Sequence, residues 1–447
     1  MKVTHLVELV IGNATIVTMN GSRDVLRDAE LIIEGDRIIE VGPRKGRRPR
    51  VHRFLDARGK VVLPGLIHSH LHACQTLCRN HADGLELLEW LRERIWPFEA
   101  AHDQASMRAS ADLTFLECLL SGATAALDMG SVHHYEQVFE SARDAGIRLT
   151  GGKCMIDAGQ GVPQRLRETT EGSLSESVRL LDAWHGQEGG RLRYALAPRF
   201  VLSCTETLLR RTQALAVERG VRLHTHAAES QAECDAVRTK TGLDYLEYFE
   251  KLGWLGPGTT LAHCVWLTAG EQRLLRESGT RVAHCPGANL KLASGVAKVP
   301  ELLAQGVSVG VGADGAACNN NLDIWSELRL AALIHNLRSG PTAMKPMEVL
   351  ELATLGGARA LGLEGQVGAL APGMKADVVL VDVLGAHALP LSDDVVSTLV
   401  YATQSRDVTD VIVDGTVVVS NRRILTMDER KVRQAAATQA ARLLTSL

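Results

Sequence analysis

Apolar and polar positions along this chain follow two periods, and the switches between them divide it. Over residues 1–62 the apolar residues come in short β-branched runs separated by turn residues. Residues 14–19 form one run, and within 30–42 the pair Gly35-Asp36 separates two more, a hairpin signal. The same texture returns near the other end. Residues 376–382 read as one strand, and 410–419 as two joined at Asp414-Gly415. Strand-rich ends around a different middle predict a small β-sandwich domain built from both termini, residues 1–62 plus 364–447. The middle, 63–363, alternates apolar runs with amphipathic stretches such as 206–219 and 269–278. Eight runs read as strands: 61–66, 123–129, 148–154, 194–197, 221–225, 259–263, 280–285 and 307–312. Eight strands with helices between them predict an α/β fold, a TIM-like (β/α)8 barrel, over an open sheet.

Composition narrows the function classes. The 447 residues carry 49 Lys plus Arg against 52 Asp plus Glu, a formal charge of −3. That balance gives no electrostatic case for a nucleic-acid or membrane partner. No apolar run reaches the roughly 18 residues a membrane span needs. The opening residues 1–5 lack the charge and apolar core of a signal peptide. Nine cysteines without a CxxC pair read as reduced thiols and a cytoplasmic protein. No low-complexity tract or short-period repeat is visible.

In a barrel enzyme the chemistry sits at the C-terminal ends of the strands. Read that way, the strand ends give a run of metal-binding residue types. The first is followed by His70 and His72, whose i, i+2 spacing on a strand turns both imidazoles to one side. The fifth ends in His224-Thr225-His226, with Glu229 three residues on. The sixth ends in His263, the seventh in His284-Cys285, and the eighth leads to Asp314. One such histidine is ordinarily structural. So many imidazoles and carboxylates in one barrel mouth, without a cation, would cost several kcal/mol in desolvation.

These residues also carry a family resemblance. The segments PGLIHSHLH, HTHAAE, LAHC and GADGAACNN resemble the amidohydrolase superfamily, in its branch of mononuclear-metal heterocycle deaminases. The resemblance covers nearly the whole chain. It implies that His70, His72, His226 and Asp314 bind one Zn²⁺ per chain, with Fe²⁺ as the alternative. Binuclear relatives use a carboxylated lysine at the end of strand 4, and here that strand has none. The resemblance further implies roles for Glu229 as the acid that protonates a ring nitrogen, for Asp314 as proton carrier, and for His263 as the group that orients the attacking water. His284 is left with a structural or a substrate-facing role.

Three features bear on substrate: Gln75, Arg199 and the stretch 87–99 that contains Trp90 and Glu99. An amide and a guanidinium beside a metal can read the edge of a flat heterocycle. Gln75 and Pro198-Arg199-Phe200 resemble guanine deaminases. Asp314–Asn321 and 289–295 resemble deaminases of S-adenosylhomocysteine, methylthioadenosine and 5'-deoxyadenosine. In those relatives a glutamate matching Glu99 holds ribose hydroxyls. The expected activity is thus zinc-dependent hydrolytic deamination of a purine, a 5'-modified adenosine ahead of free guanine. Hydrolysis of an s-triazine or another aminated heterocycle is a second enzyme reading. A non-catalytic scaffold is a third, disfavoured because such proteins lose metal ligands. The expected partners are a small purine or related heterocycle and water. Relatives are often homo-oligomers, but no interface is legible in the sequence.

Overall fold

Two tight turns, one near each end of the chain, lie back to back. Strands Val25–Glu34 and Arg37–Pro43 pair antiparallel, with Glu34 opposite Arg37 and Gly35 at φ 56°. Val408–Val413 and Thr416–Ser420 pair the same way, with Asp414 at φ 52° and Gly415 at φ 79°. Positive φ at the first turn residue alone, or at both, is what the two twist-matched hairpin turns use. A Cβ on Gly415 would lie 2.0 Å from the Gly35 carbonyl oxygen, so glycine is what lets the two turns touch.

The computed structural model describes residues 6–44 and 50–445 and joins the two ends of the chain in one nine-stranded sheet. Residues 1–5, on which the expectation about a leader rests, lie outside the described residues. At the seam, Lys60–Pro64 runs antiparallel to Val378–Asp382, with Val62 opposite Leu380. Ile11, Ile33, Val62, Leu380 and Ile412 share one apolar core drawn from both ends. No helix among the described residues is long and apolar enough to cross a membrane.

The second sheet is the barrel. Its parallel strands are Leu66–Leu71, Ala123–Met129, Arg148–Gly152, Leu192–Pro198, Arg222–Ala227, Thr259–His263, Arg281–His284 and Val309–Val311, neighbours in that order. Helices Glu206–Arg219 and Ala269–Ser278 fall where the amphipathic pattern put them. The first and eighth strands meet at a bridge between Leu71 and Asp314, beside an Asp314 N–H bond to the His70 carbonyl at 3.2 Å. That approach needs Gly312, where a Cβ would lie 2.5 Å from the His70 oxygen and 2.6 Å from its nitrogen.

Two strands differ from expectation. The run 61–66 is not one barrel strand: Lys60–Pro64 belongs to the terminal sheet, and the barrel starts at Leu66. The crossing is at Gly65, whose N–H donates to the Asp377 carbonyl at 2.9 Å and whose missing side chain makes room for Thr124. Buried strands of either sheet read alike as apolar runs, so periodicity does not reveal the break. The third strand also breaks, at Lys153, before the short piece Cys154–Met155 pairs with the fourth.

Arg148 ties the barrel to the terminal sheet. Its Nε and Nη2 donate to the two oxygens of Asp377, each at 2.9 Å, and Nη2 also reaches Asp414 at 2.9 Å. Burial works against the guanidinium's charge, but the two carboxylates outweigh it and raise its pKa. Because Arg148 and Asp377 are almost wholly buried, Arg148→Met strands a carboxylate and should cost about 3–5 kcal/mol of stability in urea unfolding. Arg211→Met, which removes an exposed ion pair with Glu171, should leave the midpoint where it is.

Candidate metal centre and active site

Parallel strands of a barrel end on one face, and here that face gathers five donors. His70 comes from the first strand and His72 from just past it, His226 from the fifth, His263 from the end of the sixth, and Asp314 from just past the eighth. Asp314 Oδ1 lies 3.4 Å from both His70 Nε2 and His72 Nε2, and its Oδ2 lies 3.7 Å from His263 Nε2. His72 Nε2 and His226 Nε2 are 3.1 Å apart. Two overlapping groups, His70 with His72 and His226 and His70 with His263 and Asp314, each keep their ligand atoms within 4.8 Å of one another.

The outer ring nitrogens decide what the inner ones can do. His72 Nδ1 faces the Met129 carbonyl at 2.7 Å, and His226 Nδ1 faces the Arg199 carbonyl at 2.7 Å. A carbonyl only accepts, so both Nδ1 atoms carry the proton and both Nε2 atoms present a lone pair. His70 reaches the same state through one more ring. His224 Nδ1 donates to the Thr260 carbonyl at 3.0 Å, which leaves His224 Nε2 to accept from His70 Nδ1 at 2.8 Å. His263 Nδ1 meets the amide oxygen of Asn289 at 2.9 Å, as the hydrogen-bond network assigns that amide.

This donor set fits a divalent transition metal. Burial lowers the pKa of His70, and holds those of His72 and His226 well below the ordinary value, keeping the imidazoles neutral. His70 Nε2 and His263 Nε2 are buried without a hydrogen-bond partner. Asp314, whose Oδ1 faces His70 Nε2 and His72 Nε2, adds a carboxylate to the set. Neutral imidazoles plus one carboxylate suit zinc or iron. Strand 4, Leu192–Pro198, carries no lysine. Lys153, at the end of the third strand, is tied to Glu168 at 2.6 Å. Backbone strain concentrates at the same place: His263 at φ 72°, Cys264 at 51° and Asp314 at 63° are left-handed without being glycine.

Glu229 stands beside the donors, with Oε2 3.4 Å from His263 Nε2. Burial, then the nearby Asp314 and Glu233 charges, push its pKa well above the carboxylate range, so it can hold a proton. Glu233 fixes its main chain: one oxygen accepts from the Glu229 N–H at 2.7 Å, the other from the Tyr245 hydroxyl at 2.7 Å. A narrow cavity opens over these groups. Leu87, Trp90, Leu91, Phe200 and Leu292 give it an apolar wall, and Arg199 gives it a guanidinium. A roomier cleft of about 320 Å³ beside Trp266 contains none of the five donors.

Of the residues expected to face substrate, Trp90 and Arg199 line this cavity, whereas Gln75 and Glu99 do not. His284 packs against His335 with ring centroids 5.2 Å apart, outside the cavity lining. Four residues around the centre had no role assigned from sequence. His224 shares a strand face with His226, a spacing signal that was open to reading. Asp128, next to last in the second strand, accepts from the Ala73 N–H at 2.7 Å and the Tyr135 hydroxyl at 2.9 Å, and burial lifts its pKa to about 6. Asn289 and Glu233 lie on helices and gave no periodic signal.

The chain matches the Amidohydrolase family over residues 61–418. It is 38% identical over 444 residues to the 5-methylthioadenosine/S-adenosylhomocysteine deaminase of Pelotomaculum thermopropionicum, covering 98% of this chain and 99% of that one. Among solved structures it is similar to an adenosine deaminase from Xanthomonas campestris with bound zinc, at 29% identity and a TM-score of 0.93 over 99% of each chain. It is also similar to a zinc complex of atrazine chlorohydrolase from Arthrobacter aurescens, at 27% identity and a TM-score of 0.90 over 97% of this chain and 100% of that one.

Metal analysis of the purified protein should find one divalent ion per chain, and Asp314→Asn or His226→Ala should lose it. His224→Leu leaves every direct donor in place but frees the His70 ring. It should weaken metal retention against a chelator about 10- to 100-fold, and retention equal to wild type would remove His224 from the centre.

Proposed function

The chain belongs to the amidohydrolase family, and on that premise we propose that it is a metal-dependent hydrolytic deaminase of a purine. The proposed substrate class is a 5'-modified adenosine such as 5'-deoxyadenosine, methylthioadenosine or S-adenosylhomocysteine, with ammonia as product. The observation that carries the reading is the convergence of buried donor atoms at one point, with a proton-holding carboxylic acid, Glu229, beside them. The substrate class rests on the relative matched along nearly the whole chain.

His70, His72, His226 and Asp314 would hold the ion, with zinc preferred and iron as the alternative. A divalent ion there supplies Lewis acidity and lets a water ionise near neutral pH. The protein's own groups do the rest. Glu229 donates its proton to a ring nitrogen, which makes the neighbouring amino-bearing carbon electrophilic. Asp314 takes a proton from the attacking water and returns it to the departing nitrogen. His263, fixed by Asn289, orients the water's oxygen at the carbon. The new C–O bond forms, the C–N bond breaks and ammonia leaves; the new hydroxyl's proton returns to Glu229, and the oxo product keeps the proton on its ring nitrogen. Trp90 and Arg199 hold the purine, the first across its face and the second at its edge. Nine free cysteines, eight of them buried, support a cytoplasmic setting.

An ammonia-release screen tests the substrate class. Adenosine, 5'-deoxyadenosine, methylthioadenosine or S-adenosylhomocysteine should give ammonia. Release from guanine alone, or from melamine alone, would overturn the assignment. Glu229→Gln should lower kcat about 10²- to 10⁴-fold with its metal content unchanged. Turnover near wild type in that variant would take the acid role from Glu229.

A further inference from the structure

Glu99 was expected to reach substrate, and its surroundings argue for another task. It sits in the short helix Trp96–Ala101, and its side chain is fully buried. Both carboxylate oxygens are engaged by protein. Oε2 accepts from Arg199 Nη1 at 2.7 Å, and Oε1 accepts from Gln75 Nε2 at 2.9 Å, with the Cys74 thiol 3.9 Å away. Gln75 is itself wedged in place: a Cβ on Gly315, the residue after Asp314, would lie 2.0 Å from its Oε1. Of these residues only Arg199 lines the cavity. Its side chain is about as buried as that of Glu99, at 3% exposure.

A guanidinium in so apolar a wall needs a counter-charge, and a planar donor fork needs something to fix its plane. Glu99 supplies both. Pairing through one nitrogen leaves the other N–H groups of Arg199 for a ligand, since guanidinium has five donors. We infer that Glu99 is a positioning residue that acts through Arg199, holding the guanidinium's direction and charge in the cavity wall, and does not itself contact the substrate. Arg199 then reads the edge of the purine, and Gln75 and Glu99 form its buried support. This inference rests on the purine-deaminase reading and deepens it: ring recognition, and not recognition of the sugar, is what the Glu99 carboxylate serves.

The two roles for Glu99 separate in one set of measurements on the metal-loaded, full-length enzyme. The kcat/KM values for adenosine and 2',3'-dideoxyadenosine are compared in wild type, Glu99→Gln, Arg199→Met and the double variant. Glu99→Gln should lower kcat/KM about 10- to 100-fold on both substrates, leaving their ratio as in wild type. The double variant should be no worse than Arg199→Met alone, because two residues that act as one unit do not add. A ratio that collapses towards one in Glu99→Gln would mean the carboxylate touches the sugar diol and would overturn the inference. So would additive losses in the double variant, or no loss in Glu99→Gln. If Glu99→Gln fails to give folded protein, Glu99→Asp, which keeps the charge but shortens the arm, takes its place. A wild-type enzyme silent on both nucleosides would overturn the function itself and this inference with it. An active wild type with the wrong variant pattern would overturn the inference alone.

Discussion

Everything at the barrel mouth answers to one electrostatic constraint: several buried lone pairs point at the same place with no hydrogen between them. His72 Nε2 and His226 Nε2 sit 3.1 Å apart, each with its proton committed to a carbonyl on the other side of the ring. Water does not reach the inner nitrogens of His70 and His263. Such an arrangement is costly in a protein interior unless a cation sits among the donors. The protein invests in it on both sides. Carbonyls from the second barrel strand, the end of the fourth and the sixth lock the rings' outer nitrogens directly or through His224. A single carboxylate, Asp314, supplies the negative charge.

The barrel makes this convergence possible because its strands all finish on one face, and closing it brings backbone into direct contact. Gly312 lets the eighth strand lie against the backbone of His70, and the bridge from Leu71 to Asp314 then sets the carboxylate beside the first-strand histidines. His263 and Asp314 pass through left-handed backbone immediately at their strand ends, a local cost that the surrounding packing has to offset. Below the mouth the same barrel is fixed to the terminal sheet through Arg148, Asp377 and Asp414, so the C-terminal part of that sheet braces the third strand.

The cavity divides its labour by chemistry. One wall is polar and contains Glu229, His263 and Asp314, while the apolar side chains of Leu87, Leu91 and Leu292 line part of the remainder and leave little there to hold water. Exclusion strengthens each charge–charge contact that remains. It is also why Glu229 can keep a proton: burial and two neighbouring acids disfavour its charged form. Arg199 is also buried in the cavity wall, and Glu99 stands behind it as its counter-charge.

The sequence by itself determined the elements and the residue types at their ends. Period-two runs, the Gly35 and Gly415 hairpins and the amphipathic helices at 206–219 and 269–278 are local patterns, set by backbone geometry within a few residues. The His-x-His spacing at 70 and 72 is local in the same sense. What only the tertiary structure decided depends on partners far apart in the chain. The crossing at Gly65 is hidden because buried strands of both sheets are equally apolar. His70 meets His224 across 154 positions, His72 meets Met129 across 57, and Glu99 meets Arg199 across 100. No period encodes which ring nitrogen finds which carbonyl, or that a carboxylate near a pocket will face an arginine instead of the cavity. Those outcomes follow from how the strands register once the barrel has closed.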